Sequence, residues 1–190
     1  MHRACAPSLP HVHIRPATPD DVPALNVLIE RSARELSRGF YDAREIESAI
    51  RHVFGVDTTL VNDRTYFVVE DGARLLGCGG WSRRRALYGG DQRPVGSVDA
   101  WLDPAIDAAR IRAFFVAPEA ARRGVGRVLL EACTVAAQQA GFGTLELMAT
   151  LPGVPFYRTQ GFVDVEPVTD VLPDGVALRF VRMRRALAPT

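Results

Sequence analysis

Two glycines and three arginines fall within Arg122-Arg123-Gly124-Val125-Gly126-Arg127, immediately before the most regular helical stretch of the sequence. Glycine lets the backbone curl without Cβ clashes, so several N–H groups can converge on one anion. A helix N-terminus adds partial positive charge, and the three guanidinium groups add full charges. The chemistry this suits is the cradling of a pyrophosphate. A Gly-x-Gly turn before a helix is also a common structural device, but a purely structural turn has no need to concentrate cations. The segment is not a Walker loop, because Lys and Ser or Thr are missing after the glycines. Nor is it a dinucleotide fingerprint, which needs Gly-x-Gly-x-x-Gly.

The elements that must position this turn are legible around it. Arg110–Val116 is a β-rich run stopped by Pro118, and Gly124–Ala140 is a helix ending at Gly141. Val128, Leu129, Ala132 and Val135 repeat on what the spacing predicts is its inner face. Thr144–Ala149 is a further strand, Pro155–Gln160 a short helix, and Phe162–Val171 and Val176–Ala186 a closing strand pair around Pro173-Asp174-Gly175. Upstream, His11–Arg15 alternates like a strand and Thr18 or Asp20 can cap a helix carrying Val22, Leu25, Leu28 and Ile29. Ser37-Arg38-Gly39-Phe40 breaks it, and a second helix spans roughly Asp42–Phe54 with Ile46, Ile50 and Val53 inward. Thr65–Glu70 and Arg74–Trp81 form a hairpin at Asp71-Gly72. Residues 86–107, punctuated by Gly89, Gly90, Pro94, Gly96 and Pro104, form a long loop of the kind that is often functional. The order β-α-α-β-β-β-α-β-α-β-β implies one mixed sheet with helices on its faces, an α/β (α+β) fold.

Composition bounds the rest. The chain has 190 residues, 47% hydrophobic and 24% charged, which suits one domain over 12–187 behind a disordered leader at 1–11. A net charge of +1 gives no electrostatic footprint for nucleic acid. No apolar run approaches the ~18 residues of a membrane span, and the first residues lack the apolar core of a signal peptide. A cytoplasmic protein with no membrane partner is the expectation. Cys5, Cys78 and Cys133 are scattered and odd in number, which argues against a disulfide framework or a cysteine zinc site. His2, His11 and His13 read as a solvated tail rather than a metal site. All 23 basic residues are arginine, so no lysine amine is available for self-modification.

Val116-Ala-Pro-Glu-Ala-Ala-Arg-Arg-Gly-Val-Gly-Arg-Val-Leu-Leu130 resembles motif A of the GCN5-related N-acetyltransferase (GNAT) family. Pro155-Phe-Tyr-Arg-Thr-Gln-Gly-Phe162 resembles its motif B, in the right order and at the right separation. The resemblance implies a mostly antiparallel sheet of about seven strands, splayed between the fourth and fifth, with about four helices. It implies acetyl-CoA as co-substrate and no metal. The pyrophosphate would lie on backbone N–H groups from Ala121 through Arg122, Arg123, Gly124, Val125 and Gly126 to Arg127. The pantetheine arm would pair with backbone groups of Phe114, Phe115 and Val116, with Thr144–Thr150 as the other wall. Tyr157 takes the position of the acid that protonates the departing thiolate; the plain alternative is a core aromatic like Phe156 and Phe162. Ala121 stands where the family often has Gln or Arg, and Arg110 stands where some members place a glutamate that acts as general base.

The general base is therefore open. Glu146, facing away from Leu145 and Leu147, is a candidate, and a solvated or ion-paired side chain is the equal alternative for it. Asp103 and Asp107 are weaker candidates, and an ordered water serves equally. By the same resemblance the acceptor, a primary amine of a small molecule or peptide, would meet Phe40, Tyr41, Trp81, Arg83 and Tyr88, with the aromatics forming a wall. The run Arg83-Arg84-Arg85 suits an acidic substrate or simply a solvated strand end. Homodimerisation through the last strands is common among such proteins. The alternative to an enzyme that attacks the thioester directly is a catalytically degenerate acyl-CoA-binding module that senses the cofactor.

Overall fold

The computed structural model describes residues 12–91 and 100–188. The expectations for the leader, and for Pro94 and Gly96 of the long loop, lie outside the described residues. Seven strands form one sheet: β1 (His13–Pro16), β2 (Tyr66–Asp71), β3 (Arg74–Ser82), β4 (Ala109–Val116), β5 (Thr144–Thr150), β6 (Val163–Val171) and β7 (Ala177–Ala186). Their spatial order is β1-β2-β3-β4-β5-β7-β6. β4 and β5 are parallel and the other neighbours antiparallel, so the mostly antiparallel mixed sheet implied by the sequence is observed.

Five helices accompany the sheet: α1 (Val22–Leu36), α2 (Ala43–His52), α3 (Thr58–Asn62), α4 (Val125–Gln139) and α5 (Val154–Thr159). α3 is the one that periodicity did not mark, because a single turn is too short for a repeating apolar pattern. It is specified instead by Asp57, whose side chain accepts a hydrogen bond from the Leu60 N–H. α2 starts at a capping box in which Asp42 and Glu45 each accept from the other's backbone N–H at 2.8 Å. The β2–β3 hairpin closes at the pair Asp71 and Arg74, with Gly72 at φ +58.

The inner face of α4 differs from the one its apolar spacing predicts. Val125, Leu129, Leu130, Cys133 and Ala137 are buried, whereas Val135 is 47% exposed. Val128, Ala132 and Val135 instead line a shallow apolar groove with Ile14 and Phe67. α4 carries apolar residues on two adjoining stripes, and its crossing over β3 and β4 decides which one is covered.

The two faces of β5 show the layering. Leu145, Leu147 and Ala149 pack into a cluster with Leu130, Cys133 and Ala137 of α4. Alternation turns Glu146 and Met148 to the opposite face. There Met148 packs against the cluster built on Leu25 and Ile29 of α1 and Ile46 and Ala49 of α2. Among the described residues no helix is long and apolar enough to cross a membrane.

Candidate active site

β4 and β5 are paired only at Ala109–Ile111 against Leu145–Leu147. Both strands run on, β4 to Val116 and β5 to Thr150, without pairing to each other. A gap therefore opens between them at the sheet centre, with unpaired strand edges as its walls. β4 also bulges there. Arg112 pairs with Gly80 and Phe115 with Cys78, so Ala113 and Phe114 together face Gly79. Ala113 has φ +54, an unfavourable value for a residue with a Cβ. The bulge is held by the buried Tyr66, whose hydroxyl donates to the Ala113 carbonyl at 3.0 Å. A Cβ at position 79 would come within 2.3 Å of the Phe114 ring, so glycine is required there. The phenyl rings of the bulge part company: Phe114 packs toward Tyr157 and Phe115 packs edge-on to Phe54.

Past β4 the chain reaches the glycine-arginine turn. Arg122 has φ +59 and Gly124 has φ +93, and nothing lies within 4 Å of where a Cβ on Gly124 would sit. Among the described residues the N–H groups from Arg122 to Gly126 hydrogen-bond to no protein group, whereas Ala121 bonds back to Pro118 and Arg127 to Gly124. Unbonded donors at the start of a long helix make an anion site. Arg122, Arg123 and Arg127 are exposed around it and form no ion pair among the described residues. Gly126 faces the Phe156 ring, which a Cβ would approach to 3.2 Å, so this glycine lets α4 and α5 close together. The donor set, the open space and the charge fit a pyrophosphate.

Tyr157 stands on α5 with its ring between Phe156 at 5.1 Å and Phe162 at 5.5 Å. Its hydroxyl forms no hydrogen bond among the described residues. Burial, with a smaller contribution from Cys133, pushes the phenol pKa above its ordinary value. The ring is part of the core and the hydroxyl remains a protonated donor, so the two sequence expectations do not exclude each other.

Glu146 is 1% exposed and ion-paired. Its Oε1 lies 2.7 Å from Arg110 and 2.9 Å from Arg182, and its Oε2 lies 3.3 Å from Arg184. Both oxygens are engaged, which is the ion-paired alternative. Asp103 and Asp107 cap their own turn: the Asp103 N–H donates to Asp107 and the Ala105 N–H to Asp103.

The expected aromatic wall is only partly assembled. The Tyr41 hydroxyl donates to the Arg179 carbonyl at 2.5 Å and accepts from the Leu151 N–H at 2.9 Å, tying the α1–α2 connection to β7 and to the end of β5. Tyr88 packs on Phe180 with ring centroids 5.2 Å apart, and its hydroxyl donates to Asp170 at 2.9 Å. Phe40 is 44% exposed next to Tyr41. Trp81 belongs to the other face: it is paired in register with Ile111 and packs edge-on to Phe142 in the α4 cluster. Sheet parity excludes it from a wall with Tyr41 and Tyr88. Arg83 stacks 4.2 Å over Trp101, and Arg84 holds Asp63 at 2.7 Å.

Sequence reasoning missed the roles of Phe180, Arg182, Arg184 and Arg112. Arg112 pairs with the buried Asp57 at 2.7 Å and donates to the Gly89 carbonyl, fastening the 86–91 segment over α2 and α3. Arginines at every second position, Arg110 and Arg112 on β4 and Arg182 and Arg184 on β7, were the available signal, since period two puts both members on one face. No group of His, Cys, Asp or Glu among the described residues is placed to hold a metal ion.

The family model described as acetyltransferase (GNAT) domain matches residues 62–164, which include the bulge, the turn, α4, β5 and Tyr157. No curated protein matches the sequence. The fold is similar to that of a GCN5-related N-acetyltransferase (aminotransferase, class-II) from Rhodopseudomonas palustris, with TM-score 0.70, 16% identity and coverage of 98% of this chain and 100% of that one. It is similar to the PaiA N-acetyltransferase of Thermoplasma acidophilum, solved in complex with coenzyme A, with TM-score 0.62, 16% identity and coverage of 93% and 99%. A GNAT family acetyltransferase of Brucella melitensis, solved in complex with acetyl-CoA, gives TM-score 0.56, 19% identity and coverage of 94% and 90%. With the family model spanning more than half of the chain, this protein belongs to the GNAT acetyltransferase family.

Proposed function

We propose that the chain transfers an acetyl group from acetyl-CoA to a primary amine of a small molecule or peptide by direct attack of the amine on the thioester. The observation that carries this is the run of unbonded N–H groups from Arg122 to Gly126, set at the end of a strand whose partner has splayed away. These groups, with Arg122, Arg123 and Arg127, hold the pyrophosphate. The backbone of Phe114, Phe115 and Val116, unpaired on the side toward β5, holds the pantetheine arm, with Thr144–Thr150 as the other wall. When bound, acetyl-CoA supplies an activated acyl group.

The chain's own contribution is to orient, to polarise and to move protons. A backbone N–H near Phe114–Val116 stabilises the developing oxyanion. Tyr157 keeps its proton because it is buried and delivers it to sulfur as the N–C bond forms and the C–S bond breaks. The surplus proton of the amine passes to water. Glu146, with both oxygens engaged, positions arginines rather than accepting that proton.

Thermal unfolding with acetyl-CoA, CoA, ATP and NAD tests the reading. A ligand at about 100 times its Kd adds about 2.7 kcal/mol of stability. That amounts to a rise of a few degrees for a domain of this size. The expected result is a rise with acetyl-CoA and CoA alone, followed by amine-dependent thiol release. The absence of any rise with either at about millimolar concentration overturns it.

A further inference from the structure

The sheet face opposite α4 carries a charged cluster that acetyl transfer as described does not use. Arg110 of β4, Glu146 of β5 and Arg184 of β7 lie in one cross-strand row. Arg182, one row on, reaches back to Glu146 and extends its other arm to Glu166 at 3.0 Å. This row is at the last β4–β5 pair but one before the gap opens, so it lies at the closed end of the gap. Two residues along a strand span about 7 Å, which sets the distance from the row to the point where the strands part.

Three guanidinium groups here face the carboxylates of Glu146 and Glu166, and Asp107 acts on Arg110 from further away. Each guanidinium has five N–H donors in a planar fork, and the contacts to Glu146 and Glu166 occupy a minority of them. Arg110 Nε is buried and unbonded among the described residues. Arg184 is half exposed and makes the longest of the contacts. Glu146 itself is fully buried, so its carboxylate holds the guanidinium groups in place, with Arg110 mostly buried and Arg182 and Arg184 partly exposed. Between this cluster and the gap the face carries Met148 on β5 and, on β4, Arg112, whose charge is taken up by the buried Asp57 at 2.7 Å.

We infer that the Arg110–Arg182–Arg184 cluster seats a carboxylate of the acceptor, so that the substrate class is a primary amine bearing a carboxylate several bonds away, an ω-amino acid. The carboxylate takes a bidentate place on the arginines, the methylene chain lies along Met148, and the amine reaches the gap. This rests on the acetyltransferase reading above.

The test compares δ-aminovalerate with pentylamine, which differ by the carboxylate, on protein first shown to be stabilised by CoA. The expected result is a kcat/KM for δ-aminovalerate higher by about tenfold or more, with the advantage lying in KM. In Arg184→Ala the ratio of the two kcat/KM values falls about tenfold, while in Arg74→Ala, at the hairpin end of β3, it is unchanged. Equal rates for the two amines, a preference for pentylamine, or a ratio unaltered in Arg184→Ala overturns the inference and leaves the acetyltransferase reading standing. If neither amine is turned over, the unfolding midpoint of the CoA-loaded protein decides. A rise with δ-aminovalerate that pentylamine does not produce supports the carboxylate seat, and no rise at about 10 mM overturns it. Loss of the CoA effect itself overturns both.

Discussion

Tyr157 and Glu146 are both buried, and burial acts on them differently because their partners differ. The phenol packs among Phe114, Phe156 and Phe162 and is held neutral, so it has a proton to give. Tyr157→Phe is expected to lower kcat by about 10²–10⁴-fold while keeping the CoA-dependent rise in unfolding temperature. Unchanged turnover in that variant would remove the acid role. Glu146 is surrounded by Arg110, Arg182 and Arg184, and Glu146→Gln leaves these cations facing one another without a buried counter-charge. A loss of about 3 kcal/mol is expected in urea unfolding, because breaking a buried ion cluster costs more than the cluster contributes. Tyr157 was legible from its motif. The arginine partners of Glu146 were not, since they come from two other strands, β4 and β7.

At the scale of elements the bulge in β4 is the working part. It exists because Gly79 leaves room for the Phe114 ring and Tyr66 binds the Ala113 carbonyl. Gly79→Ala places a methyl group within the Phe114 ring and is expected to cost about 1–3 kcal/mol of stability. It should also weaken CoA binding, because the displaced ring adjoins Tyr157 and the gap; an unaltered CoA titration would show that the bulge does not shape the site. Tyr66→Phe leaves the part-buried Ala113 carbonyl without its donor and is expected to cost about 1 kcal/mol. α4 teaches a complementary lesson. Its helical nature and both ends were readable, as was the burial of Leu129, but two apolar stripes compete for the core, and only the crossing over β3 and β4 selected Cys133 and Ala137 over Ala132 and Val135.

Over the whole molecule, the buried acids set an alkaline limit. Burial raises Cys78 from 9.0 to about 12 and Tyr41 from 10.0 to about 12, and pushes Cys133, Tyr66 and Tyr157 up as well. Below the unfolded thiol value these groups are neutral in both states and their stabilisation is fully present. As pH rises past 9.0 the unfolded thiols ionise while the folded ones do not, and stability is lost toward the folded values. Urea midpoints should therefore fall between about pH 9 and pH 11 and be flat near pH 7 as far as these groups act. Replacing Cys78 or Cys133 by alanine should shallow that fall, and an equally steep fall in both variants would exclude the thiols as its source. The same burial predicts that a thiol reagent at neutral pH labels Cys78 and Cys133 only after unfolding, which peptide mapping reads directly.

What the sequence determined by itself is local. The order of strands and helices, the capping box at Asp42, the hairpin at Gly72 and the Arg122–Arg127 turn each depend on residues within a few positions of one another, where periodicity and backbone preference act. What only the tertiary structure decided depends on sheet order and strand parity. Insertion of β7 between β5 and β6 brings Arg182 to Glu146 across 36 positions, and no local pattern encodes that neighbour. Parity sends Trp81 to the α4 face while Tyr88 and Tyr41 lie against Phe180 and β7 on the other. The gap between β4 and β5 is likewise an absence of pairing between two strands that each look continuous, so it becomes visible only when both are laid side by side.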